Sequence, residues 1–231
     1  MTSQPEIGVR LKPDPSRAKR IVVLSPHLDD AVLSLGAAIA SWARDGARVE
    51  ILTVFACDPD SDAPSRGWDR RGGFATEGEA ARARREEDRR ACAILGAVPV
   101  WLPFGSVDYE RHGDEASVRE AVRVAADGAD ELLAPGYPLS HPDHEWLARV
   151  LDDRGALGCE RLGLYAEQPY SRRAGGGPPA SFEPVAVGLR DRLAKWKAIR
   201  QYRSQLALLG LSGLRRGPHT LLRSEHVSWV R

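Results

Sequence analysis

The chain has 231 residues, 42% of them hydrophobic and 28% charged, which is enough apolar content to bury a core and too much for a disordered chain. Its 33 basic and 32 acidic side chains leave a formal net charge of +1, so neither nucleic acid nor an anionic membrane is indicated as the main partner. No run is long and apolar enough to cross a bilayer.

In chain order, "MTSQPEIGVRLKPDPSRAKR" lacks the apolar stretch of a secretory signal, and residues 1–19 read as a flexible arm. "RIVVLSPH" is β-branched without alternation, which predicts a strand buried on both faces. "DAVLSLGAAIASWARDG" predicts a helix ending at Gly46, and "RVEILTVFA" a second strand. From Cys57 to Thr76 runs a polar segment of the length found in functional lids. "EGEAARARREEDRRACAILG" predicts a helix stopping at Gly96; acids interrupt its basic run from Arg82 to Arg90, which reads as a solvated face. "VPVWLPF" predicts a strand, "DEASVREAVRVAADG" a helix and "ADELLAP" a strand. "GYPLSHPDHEWLARVLDD" is a loop that becomes a helix near Pro142, and "RLGLYAEQPY" is a further strand. "SRRAGGGPPASF" reads as a rim loop, "EPVAVGL" as a short strand and "RDRLAKWKAIRQYRSQLALLG" as one long terminal helix.

Strands alternating with helices predict an α/β fold, Rossmann-like, with a mostly parallel sheet and helices on both faces. With neither repeat nor linker in view, residues 1–231 are expected to form a single domain. The three cysteines, Cys57, Cys92 and Cys159, fit neither a zinc knuckle nor a CxxC motif and suit a reducing, cytoplasmic setting.

Two polar clusters stand at strand ends. "PHLDD" sets His27, Asp29 and Asp30 after the first strand, and "SHPDHEW" sets His141, Asp143 and His144 after a later one. Either cluster alone could serve as a helix cap. Two adjacent carboxylates exceed what a cap requires, however, and repel each other unless a cation is near. In a parallel sheet both clusters share the carboxyl-end rim, where ligands bind. Imidazole plus carboxylate is a zinc ligand set, and a catalytic zinc keeps three protein ligands and one open position. Gly-rich phosphate loops are absent, which argues against a dinucleotide site.

"PHLDD" followed by "HPDH" resembles the PIG-L/LmbE-like family of zinc-dependent N-deacetylases. The R-x-x-E-x-x-x-A-x-x-x-L-G pattern through Arg84, Glu87, Ala91, Leu95 and Gly96 supports the resemblance, as does K-x-x-A-x-x-x-Y-x-S-Q through Lys195, Ala198, Tyr202, Ser204 and Gln205. The resemblance implies His27, Asp30 and His144 as metal ligands, Asp29 as general base, His141 as a second catalytic group whose protonated form stabilises charge or donates a proton, and Asp143 as the group orienting its neighbours, above all His141. The metal implied is zinc, though two His and one Asp also suit Fe(II). The implied function is removal of an N-acetyl group from an amino sugar or sugar-containing metabolite of a thiol or antibiotic pathway. The partner is then a small-molecule N-acetylated sugar or sugar conjugate, with the oligomeric state left open, a homo-oligomer included. A close alternative is an amidase acting on a thiol S-conjugate. From another class comes a catalytically inactive, metal-free binding protein on the same fold.

The chain departs from the family pattern in places. Leu28 replaces a common Pro and Ala31 a common Glu, and Leu139 stands where some members carry a Tyr, the nearest being Tyr137. The Cys57–Thr76 segment either is a solvated surface loop or offers substrate contacts through Arg66, Trp68 and Arg70 with Asp69 and Arg71 beside them; Tyr137 is a further candidate contact whose oxyanion role is open. The "RSEHVSW" segment is a weaker candidate, and His112, His219 and His226 are expected to be exposed or structural.

Overall fold

The computed structural model describes residues 18–109, 113–152, 157–173, 177–211 and 222–230. Most of the expected N-terminal arm, His112 and His219 lie outside them.

Five parallel strands form the heart of the sheet: β1 (Arg20–Ser25), β2 (Arg48–Thr53), β3 (Val98–Trp101), β4 (Glu131–Tyr137) and β5 (Arg161–Ala166). Two further strands, β6 (Glu183–Pro184) and β7 (His226–Val230), complete it antiparallel, in the order β3-β2-β1-β4-β5-β7-β6. The strand order reverses between β1 and β4, which pair in register from Ile21 against Glu131. That switch point opens a crevice beyond the carboxyl ends of the two strands, and both polar clusters emerge there.

Alternation along β1 divides the core. Ile21 and Val23 pack into one apolar cluster, while Val22 and Leu24 pack into another on the opposite face. The first cluster is covered by α1 (Asp30–Arg44), α3 (Glu77–Leu95) and α7 (Leu189–Ile199); the second by α4 (Glu115–Ala126) and α5 (Pro142–Val150). In α1, 12 of 15 residues are buried, so this helix is central to its layer rather than amphipathic. Each fully buried Leu, Ile or Val of such a helix contributes about 1.5–3 kcal/mol.

α1 bends at Leu35 (φ −124°, ψ 15°). The freed backbone donors of Ala37 and Ala38 go to the Glu225 carboxylate at 3.0 and 2.7 Å, and Lys195 Nζ meets the same carboxylate at 2.6 Å. Gly36 makes room for this pair: a Cβ there would stand 2.8 Å from Lys195 Cγ. α3 starts on a Thr76 cap accepting from the Glu79 N–H and ends at Gly96 in the left-handed conformation.

Three expectations about elements are corrected. The terminal helix is not continuous: it breaks into α7 and α8 (Arg203–Leu206), because buried Tyr202 turns inward to donate its hydroxyl to Asp88 at 2.7 Å while Ser204 bonds Glu87. "EPVAVGL" shrinks to the two-residue β6, and the strand is instead β7, five residues from within "RSEHVSW" and just beyond it. The Cys57–Thr76 segment contains a short helix, α2 (Gly67–Arg71). His226 is half-buried in β7, and no helix of the described residues is long and apolar enough to cross a membrane.

Candidate active site

After β1 the chain turns within four residues. Ser25 Oγ donates to the His27 carbonyl at 2.6 Å and accepts from the Ala31 N–H at 3.0 Å. Asp29 holds φ 155°, a conformation that costs a non-glycine residue about 1–3 kcal/mol. Its carbonyl starts the helix by accepting from the Leu33 N–H, but its side chain caps nothing. The carboxylate, on a residue only 8% exposed, faces a cavity instead. After β4, the cap of α5 is His141, whose Nδ1 accepts the Asp143 N–H at 3.2 Å. A neutral imidazole that accepts at Nδ1 carries its proton at Nε2. Neither Asp29 nor Asp143 is thus spent on capping.

Three donor atoms converge between the two loops. His27 Nδ1 lies 3.1 Å from Asp30 Oδ2, His144 Nε2 lies 3.1 Å from the same oxygen, and the two ring nitrogens are 3.1 Å apart. A tetrahedral zinc with bonds of about 2.0–2.1 Å sets its ligand atoms roughly 3.3 Å apart, so this triangle fits such an ion closely. The opposite nitrogen of each imidazole is held by a carboxylate: His27 Nε2 by Asp143 Oδ2 at 2.8 Å, and His144 Nδ1 by Glu167. A wider grouping also exists, since His27, His141 and His144 each offer a ring nitrogen within 4.8 Å of the others. Asp143 therefore sits on His27 rather than on His141, whose Nδ1 is 3.9 Å from it. Its other oxygen accepts the Val107 N–H at 3.0 Å.

The neighbouring carboxylates are driven apart electrostatically. Burial and the charge of Asp30 push Asp29 up to about 8. Burial would also raise Asp30, but His144 and His27 outweigh it and hold that carboxylate well below its ordinary range. Burial opposes charge on His144, yet Asp30 and Glu167 push it up to about 10. His141 goes the other way: burial and the two neighbouring histidines bring it down to about 4. In the ion-free site these surroundings oppose an imidazolium at His141. The carboxylates around the histidine pair thus favour its protonated form, and a cation in the triangle would compete with those protons and lower Asp29 as well.

The cavity has a volume of about 150 Å³. Trp68 lines it, held by its N–H on Asp108 Oδ2 at 2.8 Å and its indole Nε1 on Gln205 Oε1 at 2.7 Å. Arg71 lies over the indole at 4.9 Å. Arg84 reaches the same space, paired with Asp69 at 3.1 Å, and Asp29 and Arg84 feel each other's charge. Arg66 and Arg70 are exposed and outside the lining, with Arg70 Nε turned to the Ser65 carbonyl. Tyr137 is outside it too: its ring packs on Phe182 at 6.2 Å. The tyrosine that lines the cavity is Tyr170, the first residue of α6 (Tyr170–Arg173), edge-on to His144 at 5.6 Å. Glu167 and Tyr170 were not singled out from the sequence. The available signal was their place, since "AEQPY" leaves β5 on the same rim as the two His/Asp clusters.

The family model described as PIG-L: GlcNAc-PI de-N-acetylase matches residues 22–153. The chain belongs to this family. The 2'-N-acetylparomamine deacetylase of Streptomyces fradiae is 33% identical over 161 residues, 62% of this chain and 53% of that protein, so the chain spans about half the length of this curated relative. A deacetylase triple mutant from the teicoplanin biosynthetic pathway superposes with TM-score 0.75 at 26% identity, covering 91% of this chain and 97% of that one. The antimicrobial reagent A40926 pseudoaglycone deacetylase gives 0.72 at 27%, covering 92% and 97%.

The two helical patterns noted in the sequence, through Arg84–Gly96 and Lys195–Gln205, fold onto one another. Arg84 pairs with Asp69, Glu87 accepts from Ser204, and Gln205 holds Trp68. Lys195 anchors Glu225 behind the bend of α1. These residues connect α3 and the terminal helices to the cavity wall, which gives the patterns a physical reason beyond packing.

Proposed function

We propose that the chain is a metal-dependent N-deacetylase that hydrolyses the N-acetyl group of a small-molecule amino sugar or sugar conjugate. The observation that carries this reading is the triangle of His27, Asp30 and His144, flanked in one cavity by a buried carboxylate and an imidazole N–H. These three residues would hold the ion in preference to the His27, His141 and His144 grouping, because His141 spends Nδ1 on the α5 cap and has a proton on Nε2. Zinc suits the set best, and Fe(II) is compatible with it.

When bound, the ion supplies positive charge for the amide carbonyl and lowers the pKa of a neighbouring water. Asp29, lowered from its ion-free value, takes a proton from the attacking water. His141 Nε2–H donates to the oxygen on which charge develops, as a neutral donor. Protonated Asp29 returns its proton to the departing amine, so that acetate and a free amine result. Asp143 and Glu167 keep the two histidines in the required tautomers. Trp68 offers a ring face to a sugar, and Arg84 places positive charge beside Asp29. The names of the S. fradiae relative and of the teicoplanin-pathway and A40926 pseudoaglycone deacetylases support an antibiotic-type amino sugar as the substrate class.

The test is a panel of N-acetylated amino sugars, aminocyclitol glycosides and thiol S-conjugates, assayed for free-amine release before and after chelation. Release from a sugar substrate that chelation abolishes supports the reading. Release confined to S-conjugates would favour an amidase, and tight binding with no release would favour a binding protein.

A further inference from the structure

Glu167 is the first residue after β5 and is 1% exposed. One carboxylate oxygen holds His144 Nδ1, and the other accepts the Leu139 N–H at 3.1 Å. Its own N–H donates to the Tyr137 carbonyl at 2.6 Å. Leu139, with φ 54°, is one of three non-glycine residues at positive φ among those described, so the loop before His141 is held in a conformation it would not adopt unaided.

We propose that Glu167 is a positioning residue that sets the tautomer of His144 and clamps the Tyr137–His144 loop to the end of β5, so that affinity for the ion depends on it. This inference rests on the metal reading above. A carboxylate can only accept, so the neutral, ion-binding form of His144 carries its proton at Nδ1 and turns the Nε2 lone pair toward His27 and Asp30. The Leu139 N–H, which can only donate, claims the second oxygen. The two demands are met together by a group with two acceptors. Glutamine has nearly the same shape but one acceptor and one donor. Its oxygen goes to Leu139, and its NH₂ then faces Nδ1. That forces the proton onto Nε2, where it points at the ion's position.

The experiment uses the full chain and Glu167→Gln, with Glu167→Asp as the variant that keeps both acceptors. Zinc affinity is measured by competition with a chelating dye, the His144 tautomer by long-range ¹H–¹⁵N NMR of the zinc-loaded protein, and folding by Tm. Wild type should show the Nδ1–H pattern. Glu167→Gln should bind zinc about 10–100-fold more weakly, and Glu167→Asp should lie closer to wild type. Equal zinc affinity in wild type and Glu167→Gln overturns the inference alone, as does a Gln variant that binds more tightly than the Asp variant. A wild-type protein that binds no divalent ion overturns the metal reading and this inference with it. A lowered Tm in Glu167→Gln leaves the comparison with Glu167→Asp as the deciding one.

Discussion

His27 Nδ1 and His144 Nε2 come from loops 117 residues apart in sequence and stand 3.1 Å from each other, with Asp30 Oδ2 at the same distance from both. That separation suits a shared proton or a cation between the two ring nitrogens. The pairing follows from topology: β1 and β4 are neighbours at the switch point of the sheet, so their following loops must face each other.

The pair of carboxylates gives a first prediction. Asp29→Asn should retain the ion and lower kcat about 10²–10⁴-fold, the usual loss for a general base. In wild type, activity should rise with pH as Asp29 ionises, with the limb below 8 in the zinc-loaded protein. Metal content beside a pH–rate profile checks both statements. Loss of the ion in Asp29→Asn, with retention in Asp30→Asn, would reverse the two roles.

The same residue predicts a stability effect in ion-free protein. Burial and Asp30 raise Asp29 from 3.8 to about 8 in the folded state. A raised folded-state value means that its contribution is fully present below about pH 4 and lost as pH climbs to about 8. Asp29→Asn removes that loss, so after chelation its Tm at pH 8 should exceed that of wild type, and the gap should close near pH 4. Thermal scans at the two pH values decide it, and a variant less stable at pH 8 would contradict the burial argument.

His141 gives a prediction that differs from the expectation drawn on sequence. Because burial and its neighbours hold it down to about 4, and its Nδ1 accepts so that Nε2 is left to donate, it should impose no ionisation on the high-pH limb. His141→Ala should lower kcat about 10²–10³-fold, the range for a lost oxyanion donor, while leaving that limb in place. A high-pH limb that flattened in His141→Ala would restore the imidazolium.

For substrate contacts, Trp68→Ala should raise KM for a glycoside several-fold, because the ring face that Trp68 offers to the cavity is lost. Arg66→Ala and Arg70→Ala, which lie outside the cavity, should leave KM unchanged. Steady-state kinetics on the three variants separate the residues that the structure brings together from those that are merely near in sequence.

Much of this was legible in the sequence. Short β-branched runs, Gly96 at a helix end and Pro142 at a helix start each have a local cause, so those elements stand where the pattern puts them. The two His/Asp clusters were visible because a parallel sheet gathers the ends of its strands. What escaped depends on partners distant in sequence. The helix broken at Tyr202 follows from Asp88 and Glu87 on α3. Asp143 chose His27, not its neighbour His141, because His141 turned to cap α5. Arg66, Trp68, Arg70 and Arg71 share one short segment, and only the direction of α2 decides that Trp68 and Arg71 face the cavity.

In the proposed mechanism His27, Asp30 and His144 hold a catalytic divalent ion and His141 does not. Stoichiometric metal analysis of wild type, His144→Ala and His141→Ala, each purified, chelated and reloaded with zinc, tests it most directly. Wild type and His141→Ala should each carry about one zinc per chain, and His144→Ala should lose most of it. A zinc-free His141→Ala protein beside a zinc-replete His144→Ala protein would contradict it.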